Sequence, residues 1–206
     1  RQLREADQLH REFEQAVYDE PEGFVPMSGL TERVRNRYRR LAGKAHEIFI
    51  KHFEQAGWPL VGRLSNADVF DQIVAPKLQE NGRRIAYFLI DALRFELGVA
   101  LEKELSHEGS IEMHAACAQL PTITRVGMAS LLPSAGKLLN LKRDDKEEVV
   151  PYLGDTALTN VNQRMEEFRK RYGQRFAEMT LKDILLKKNQ TVDGTVQLLV
   201  IRTDEI

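Results

Sequence analysis

An aspartate directly after an apolar strand, and two threonines at a second strand-to-helix junction, are the residues here whose types and spacing could do chemistry. Asp91 follows the run Ile85-Ala86-Tyr87-Phe88-Leu89-Ile90, and Thr122 and Thr124 stand in Pro121-Thr122-Ile123-Thr124. Where parallel strands end, the following helices turn their N-terminal amides into one crevice, and ligands collect there. A carboxylate at such an end suits a metal or phosphate site, and a hydroxyl beside a metal can become a nucleophile. A plainer reading stands next to this one, because Asp and Thr are also good helix N-caps.

Other residues offer less. His114 falls in an expected strand and His10, His46, His52 and His107 on expected helices with no metal-pair partner, so all five read as packed or surface histidines. Cys117 reads as a small buried hydrophobe, and a single cysteine excludes an internal disulfide and a thiolate zinc site. Arg33, Arg35, Arg37, Arg39, Arg40 and Lys44 concentrate charge on one helix but wrap around it, which favours a solvated face over a nucleic-acid patch.

The elements that must position these residues come from periodicity. Leu3, Ala6, Leu9, Phe13 and Val17 predict a helix, Pro21, Gly23, Pro26 and Gly29 a loop, and Val34 to His52 the inner stripe of a second helix ending near Ala56. Residues 1–60 therefore read as an α-helical hairpin. After the Gly57 to Pro59 break, Asn66 or Asp68 starts a helix that Pro76 kinks or ends. The 85–90 run predicts a parallel strand buried on both faces, and Ala92 to Leu105 an amphipathic helix, the opening of a βαβ unit. Ile111 to Ala118 predicts a second strand and Gly127 to Leu132 a helix. Beyond Pro133 the pattern is weaker: a charged loop at 144–148, helices at 160–172 and 180–187, and a third buried strand at 195–201. Residues 61–206 read as an α/β domain.

Composition bounds the rest. The chain has 206 residues, 42% hydrophobic and 30% charged, in the ordinary folded range, and its net charge of -1 provides no global field for gathering nucleic acid. It lacks the roughly 18 consecutive apolar residues of a membrane span. A soluble, cytoplasmic protein is the expectation. Both ends read as cut from something longer.

Two ordered blocks carry a resemblance. Tyr87-Phe88-Leu89-Ile90-Asp91-Ala92-Leu93-Arg94-Phe95-Glu96 and Leu120-Pro121-Thr122-Ile123-Thr124-Arg125-Val126-Gly127-Met128-Ala129-Ser130-Leu131-Leu132-Pro133 together resemble the PglZ family of the alkaline-phosphatase superfamily. The firm part covers residues 81–133, and the hairpin lies outside it. The resemblance implies an alkaline-phosphatase-like, mostly parallel sheet flanked by helices, truncated here. It implies a divalent-metal site, with two Zn2+ expected and Mn2+ or Mg2+ as alternatives, Asp91 as a ligand and Thr124 as the nucleophile, itself on the metal.

Thr124 is preferred over the fallback Thr122 because related phosphodiesterases show Pro-Thr-x-Thr with the second threonine attacking. Those relatives follow with Pro-Asn and use the asparagine on phosphate, whereas this chain has Val126 and Gly127, which leaves Arg125 or Arg94 as the expected phosphate grip. Further ligands are expected near Asp204, and the stretch in hand is expected to be catalytically silent alone. The implied setting is a BREX-type phage-defence complex, with a phosphoester substrate, nucleic acid included, and other defence proteins as partners. The alternative is a non-catalytic scaffold that docks protein or DNA, the latter through Arg33, Arg35, Arg37, Arg39 and Arg40.

Overall fold

A computed structural model describes residues 2–19, 28–187 and 191–203. In chain order the elements are α1 (Gln2–Tyr18), α2 (Ser28–Ala56), α3 (Asn66–Val69), a π-helical turn (Phe70–Val74), α4 (Ala75–Leu78), β1 (Ile85–Leu89), α5 (Phe95–Leu105), α6 (Thr124–Ser130), α7 (Ala135–Leu138) and β2 (Leu139–Arg143). They continue with β3 (Val149–Leu153), β4 (Thr156–Ala157), α8 (Val161–Tyr172), a 3-10 turn (Gly173–Arg175), β5 (Phe176–Thr180), α9 (Leu181–Leu186) and β6 (Leu198–Arg202). Two compact units emerge, one from Arg1–Leu60 with Leu93–Met113 and the other from Val61–Ala92 with His114–Ile206. The segment Leu93–Met113, read in sequence with the α/β domain, clusters with the helices of the first unit.

In the first unit, α1 meets α2 through polar contacts. Arg35 donates from Nε and Nη2 to Glu14 at 2.8 and 2.7 Å, the Tyr38 hydroxyl donates to Asp7 at 2.8 Å, and His10 stacks on Tyr38 at 3.8 Å between ring centroids. Leu3 and Leu9, expected on the inner face of α1, are exposed, as are Leu41 and Ile48 of α2. The apolar stripes thus remain largely uncovered, because the acid and base groups between them make the contacts. Gly29, expected in the loop, lies in the first turn of α2, and Pro21, Gly23 and Pro26 fall outside the described residues.

The second unit holds a parallel sheet of order β1-β6-β5 and a small antiparallel sheet of order β2-β3-β4. Leu198 and Val200 of the central strand β6 are fully buried, as are Phe70 and Phe168. Phe70, Tyr87, Phe168, Tyr172 and Phe176 form one aromatic cluster, with ring centroids 5.4 Å apart for Phe70 and Phe168 and 5.7 Å for Phe168 and Phe176. Pro76 has no N–H to give, and the chain meets this with a π-helical turn in which the Ala75 N–H reaches Phe70 O. Ser65, one residue before the expected start, caps α3. Helix α8 starts at a reciprocal capping box between Asn160 and Gln163, and Gly173 ends it at φ 56°.

Three expectations need correction. Residues 111–118 form no strand: only Cys117 makes a bridge, to Ser65, since a run of Ala and Cys with His114 lacks the β-branched side chains that fill a pleated face. Strand β1 is not buried on both faces, because Phe88 is 49% exposed and Ala86 is exposed as well. Helix α5 begins at Phe95 rather than Ala92, whose φ of 52° is incompatible with a right-handed helix. The sequence reading also missed β5 and the β2-β3 hairpin. Among the described residues no helix is long and apolar enough to cross a membrane.

If the aromatic cluster carries the second unit, Phe168→Ala should lower its unfolding free energy by about 3–5 kcal/mol in urea titrations followed by circular dichroism. A loss below about 1 kcal/mol would show that the cluster is not the core that ring packing implies.

Candidate active site

The site lies at the C-terminal ends of β1 and β6. The two strands pair in parallel with Leu89 opposite Arg202, and one residue on the Thr203 N–H donates to Leu89 O at 3.1 Å. The Thr203 hydroxyl in turn accepts from the Asp91 N–H at 3.3 Å, so the end of β6 sets where the chain leaves β1. Asp91 Oδ1 accepts from the Ala92 N–H at 2.9 Å, and the Thr124 hydroxyl donates to Asp91 Oδ2 at 3.0 Å. The carboxylate and the hydroxyl singled out in sequence are therefore within hydrogen-bond reach, although 33 residues apart.

The capping alternatives can be weighed directly. The N-cap of α6 is Ile123, which makes no side-chain cap bond, and the N-cap of α5 is Arg94. Neither Asp91 nor Thr124 occupies an N-cap, and their polar atoms serve each other. Thr122 is exposed and stands apart from the cavity beside Asp91.

That cavity, of about 200 Å³, has an apolar wall of Leu89, Met128, Val161 and Met165. Its polar side is Asp91, Thr124, Arg164, Arg202 and Thr203. Neither expected phosphate grip lines it: Arg125 donates to Glu148 at 2.8 Å on the β2-β3 turn, and Arg94 pairs with Glu96 at 3.2 Å. Arg164 and Arg202 take the place beside Asp91 that sequence reasoning gave to those two. Burial, first, and then repulsion from Arg202 push the Arg164 guanidinium below its usual range, while Asp91 partly offsets both. A signal for Arg164 was present in the sequence, since the half-buried Val161 and the buried Met165 and Phe168 make the inner stripe of α8 and Arg164 interrupts it.

Asp91 and Thr124 supply hard oxygen donors of the kind a divalent cation takes. Among the described residues no group of three His, Cys, Asp or Glu gathers anywhere, so this pair fits the start of a metal shell and not a complete one, which needs three or four protein ligands for zinc. Asp204, the further ligand expected from sequence, lies outside the described residues.

A parallel sheet flanked by helices, with a polar site at its strand ends, defines a mixed α/β protein. Residues 69–203 match the BREX system PglZ alkaline phosphatase-like domain, and the chain belongs to that family. The match takes in every residue that lines the cavity. The chain is also similar to the alkaline phosphatase-like protein BrxZ of Escherichia coli O9:H4 (strain HS), 26% identical over 136 residues that cover 62% of this chain and 16% of that protein. It thus spans about a sixth of that relative's length. No solved structure matches it.

Ala92 holds a left-handed conformation that costs a non-glycine residue about 1–2 kcal/mol, and it does so immediately after Asp91. Ala92→Gly should leave stability within about 0.5 kcal/mol, as relief of strain offsets a freer unfolded chain, whereas the β-branched Ala92→Val should lose about 1–2 kcal/mol in urea unfolding. Equal stability of the two variants would mean that the turn is not held in this form.

Proposed function

We propose that this domain belongs to a metal-dependent phosphoryl-transfer hydrolase, a phosphatase or phosphodiesterase, acting in bacterial phage defence. The observation that carries the reading is the 3.0 Å bond from the Thr124 hydroxyl to Asp91 at the edge where parallel sheets bind ligands. Membership of a BREX-associated, alkaline phosphatase-like family supports it. In this reading Thr124 is the nucleophile and Asp91 a ligand of a divalent cation, Zn2+ first and Mn2+ or Mg2+ as alternatives, with Asp204 a candidate for a further ligand. When bound, such a cation lowers the pKa of a coordinated hydroxyl and stabilises charge on phosphoryl oxygens.

The chain's own residues do the remainder. Asp91 holds the Thr124 hydroxyl by its proton, so the Oγ1 lone pairs are presented to the cavity and the attacking oxygen has one preferred orientation. Leu89, Met128, Val161 and Met165 keep one side of that oxygen dry. A carboxylate is too weak a base to take a proton from an alcohol unaided, which is why a cation belongs in the reading.

In the longest form of the protein that its gene encodes, chromogenic phosphate esters, a monoester and a diester, should be cleaved in the presence of Zn2+ or Mn2+. Thr124→Ala and Asp91→Ala should each reduce the rate by roughly 10³-fold or more. Rates unchanged in both variants would end the assignment. Loss in Thr122→Ala with retention in Thr124→Ala would move the nucleophile to Thr122.

A second reading, a scaffold that docks DNA or other defence proteins, draws on the incomplete metal shell among the described residues. Its contact surface would be α2, where Arg33, Arg37, Arg39 and Arg40 are exposed, while Arg35 is engaged by Glu14. Replacing Arg33, Arg37, Arg39 and Arg40 with Ala should then weaken duplex DNA binding and flatten the log-log salt slope by roughly 3–4. A slope that stays the same would exclude that surface.

A further inference from the structure

The parallel sheet has a second polar recess, at the end opposite the Asp91 cavity. Asn81 and Gly82 lead into β1, Arg175 immediately precedes β5 and Gln197 immediately precedes β6, so the starts of all three parallel strands meet at one cavity of about 440 Å³. That volume lies in the roughly 300–1,000 Å³ range of small-molecule sites. Two guanidiniums gather there around Tyr172, the last residue of α8, with Arg171 Cζ 5.7 Å and Arg175 Cζ 5.9 Å from its ring centroid. Arg171 is matched by Asp71, to which its Nη1 donates at 2.8 Å, and Glu80 pairs with Arg83. Arg175 has no carboxylate partner among the described residues. Its Nη1 donates to the neutral Gln197 Oε1 at 3.2 Å and the Gln197 N–H donates back to Arg175 O at 2.8 Å, which holds the side chain and leaves its Nε and Nη2 edge open. The exposed side-chain amides of Gln79 and Asn81, on the same wall, likewise make no hydrogen bond among the described residues.

We propose that this cavity binds a monoanionic carboxylate that carries amide groups, the chemistry of an acylated amino acid or of a peptide's C-terminal residue, with Arg175 as the anchor. The open edge of Arg175 is the one with which Arg35 grips Glu14 in the same chain, two parallel donors that match the two oxygens of a carboxylate. The contact with Tyr172 and the bond to Gln197 orient that fork beforehand, so little side-chain freedom is lost on binding. Charge sets the valence. One unmatched guanidinium stands beside Glu80 and the C-terminal end of α8, where carbonyls carry partial negative charge, so a monoanion is matched and a phosphate dianion is not. Gln79 and Asn81 each offer a donor and an acceptor, the complement of a peptide group, and the buried Ala75 and Leu78 supply an apolar wall for a small side chain. The cavity and Thr124 lie at opposite ends of the sheet, and the inference is independent of the proposed function.

N-acetylalanine, a monoanion with one amide, is the probe, titrated at constant ionic strength into the longest form of the protein that its gene encodes and followed by saturation-transfer NMR. Saturable binding with a Kd on the order of 1 mM is expected, as befits one bidentate ion pair and a few neutral hydrogen bonds. The uncharged N-acetylalanine amide should bind roughly tenfold more weakly, and inorganic phosphate at equal concentration should not displace the acid. Arg175→Gln should weaken binding by roughly tenfold, and Arg175→Lys, which keeps the charge and loses the fork, by a smaller factor. Arg143→Gln, an exposed arginine paired with Glu147 on the β2-β3 turn, and Thr124→Ala should leave it unchanged. A Kd that falls when the probe is lengthened to acetyl-trialanine identifies a polypeptide end as the source of the carboxylate, and an unchanged Kd a free acylated amino acid. Absence of saturable binding up to about 20 mM, equal binding of acid and amide, displacement by phosphate, or parent-like binding in both Arg175 variants would overturn the proposal. Arg175 is exposed, so both variants should keep the parent's circular dichroism; should the Gln variant fail to fold, the Lys variant and the amide probe decide.

Discussion

Asp91 stands where it does because β1 and β6 run parallel and in register past the end of the ladder. Leu89 opposes Arg202, the Thr203 N–H continues the pairing to Leu89 O, and the Thr203 hydroxyl then receives the Asp91 N–H. One register thus positions a carboxylate on one strand end and a guanidinium on the next. A slip of β6 by one residue would turn Arg202 to the other face together with Leu198 and Val200, which is why burial of those two matters to the site as much as to stability.

The partner hydroxyl depends on the same strand. Helix α6 carries Thr124 at its first position and is sealed by Val126 and Ala129, both fully buried. The Tyr87 hydroxyl of β1 donates to Leu131 O just past the end of that helix at 3.3 Å, and burial pushes the phenol pKa well upward, so the donor keeps its proton. Beyond α6, α7 packs tightly on α3: a Cβ at Gly136 would lie 2.1 Å from Asp68 Oδ1, so only glycine allows this approach without displacing Asp68. Asp71 ties the same corner by accepting from the Ser134 N–H and from Arg171. The aromatic cluster joins these pieces, since Tyr87, Phe70 and Phe168 meet behind the strand.

What could be read from the sequence was what depends on short-range pattern. The apolar run before Asp91, the helical spacing of 3–17, 160–172 and 180–187, and the threonine pair at the start of α6 all correspond to elements that form. The strand at 111–118 does not form, because alternation of small residues looked like a strand while offering too little surface to bury. Strands β2, β3 and β5 were missed for the opposite reason. Pro151 and the charged tip at 144–148 disguise the hairpin, and Phe176–Thr180 alternates over only five residues, with its pairing supplied by β6 across the sequence. For the site, the approach of Asp91 to Thr124 followed from strand-end logic, whereas the arginines did not. Local sequence suggested Arg94 and Arg125 because they adjoin the motif, but each pairs with a carboxylate, Glu96 and Glu148, and neither lines the cavity.

The Asp91 carboxylate stands between two demands. Its Oδ2 is the atom that a cation would seek and also the atom that holds the Thr124 proton, so a cation and that proton would compete for one oxygen. Arg164 lines the same cavity, and the field of Asp91 partly offsets the burial that pushes its guanidinium below the usual range. One carboxylate and one hydroxyl, the hard donors of this cavity among the described residues, fall short of the three or four ligands with which a protein holds zinc, which sets the arrangement apart from a structural metal centre.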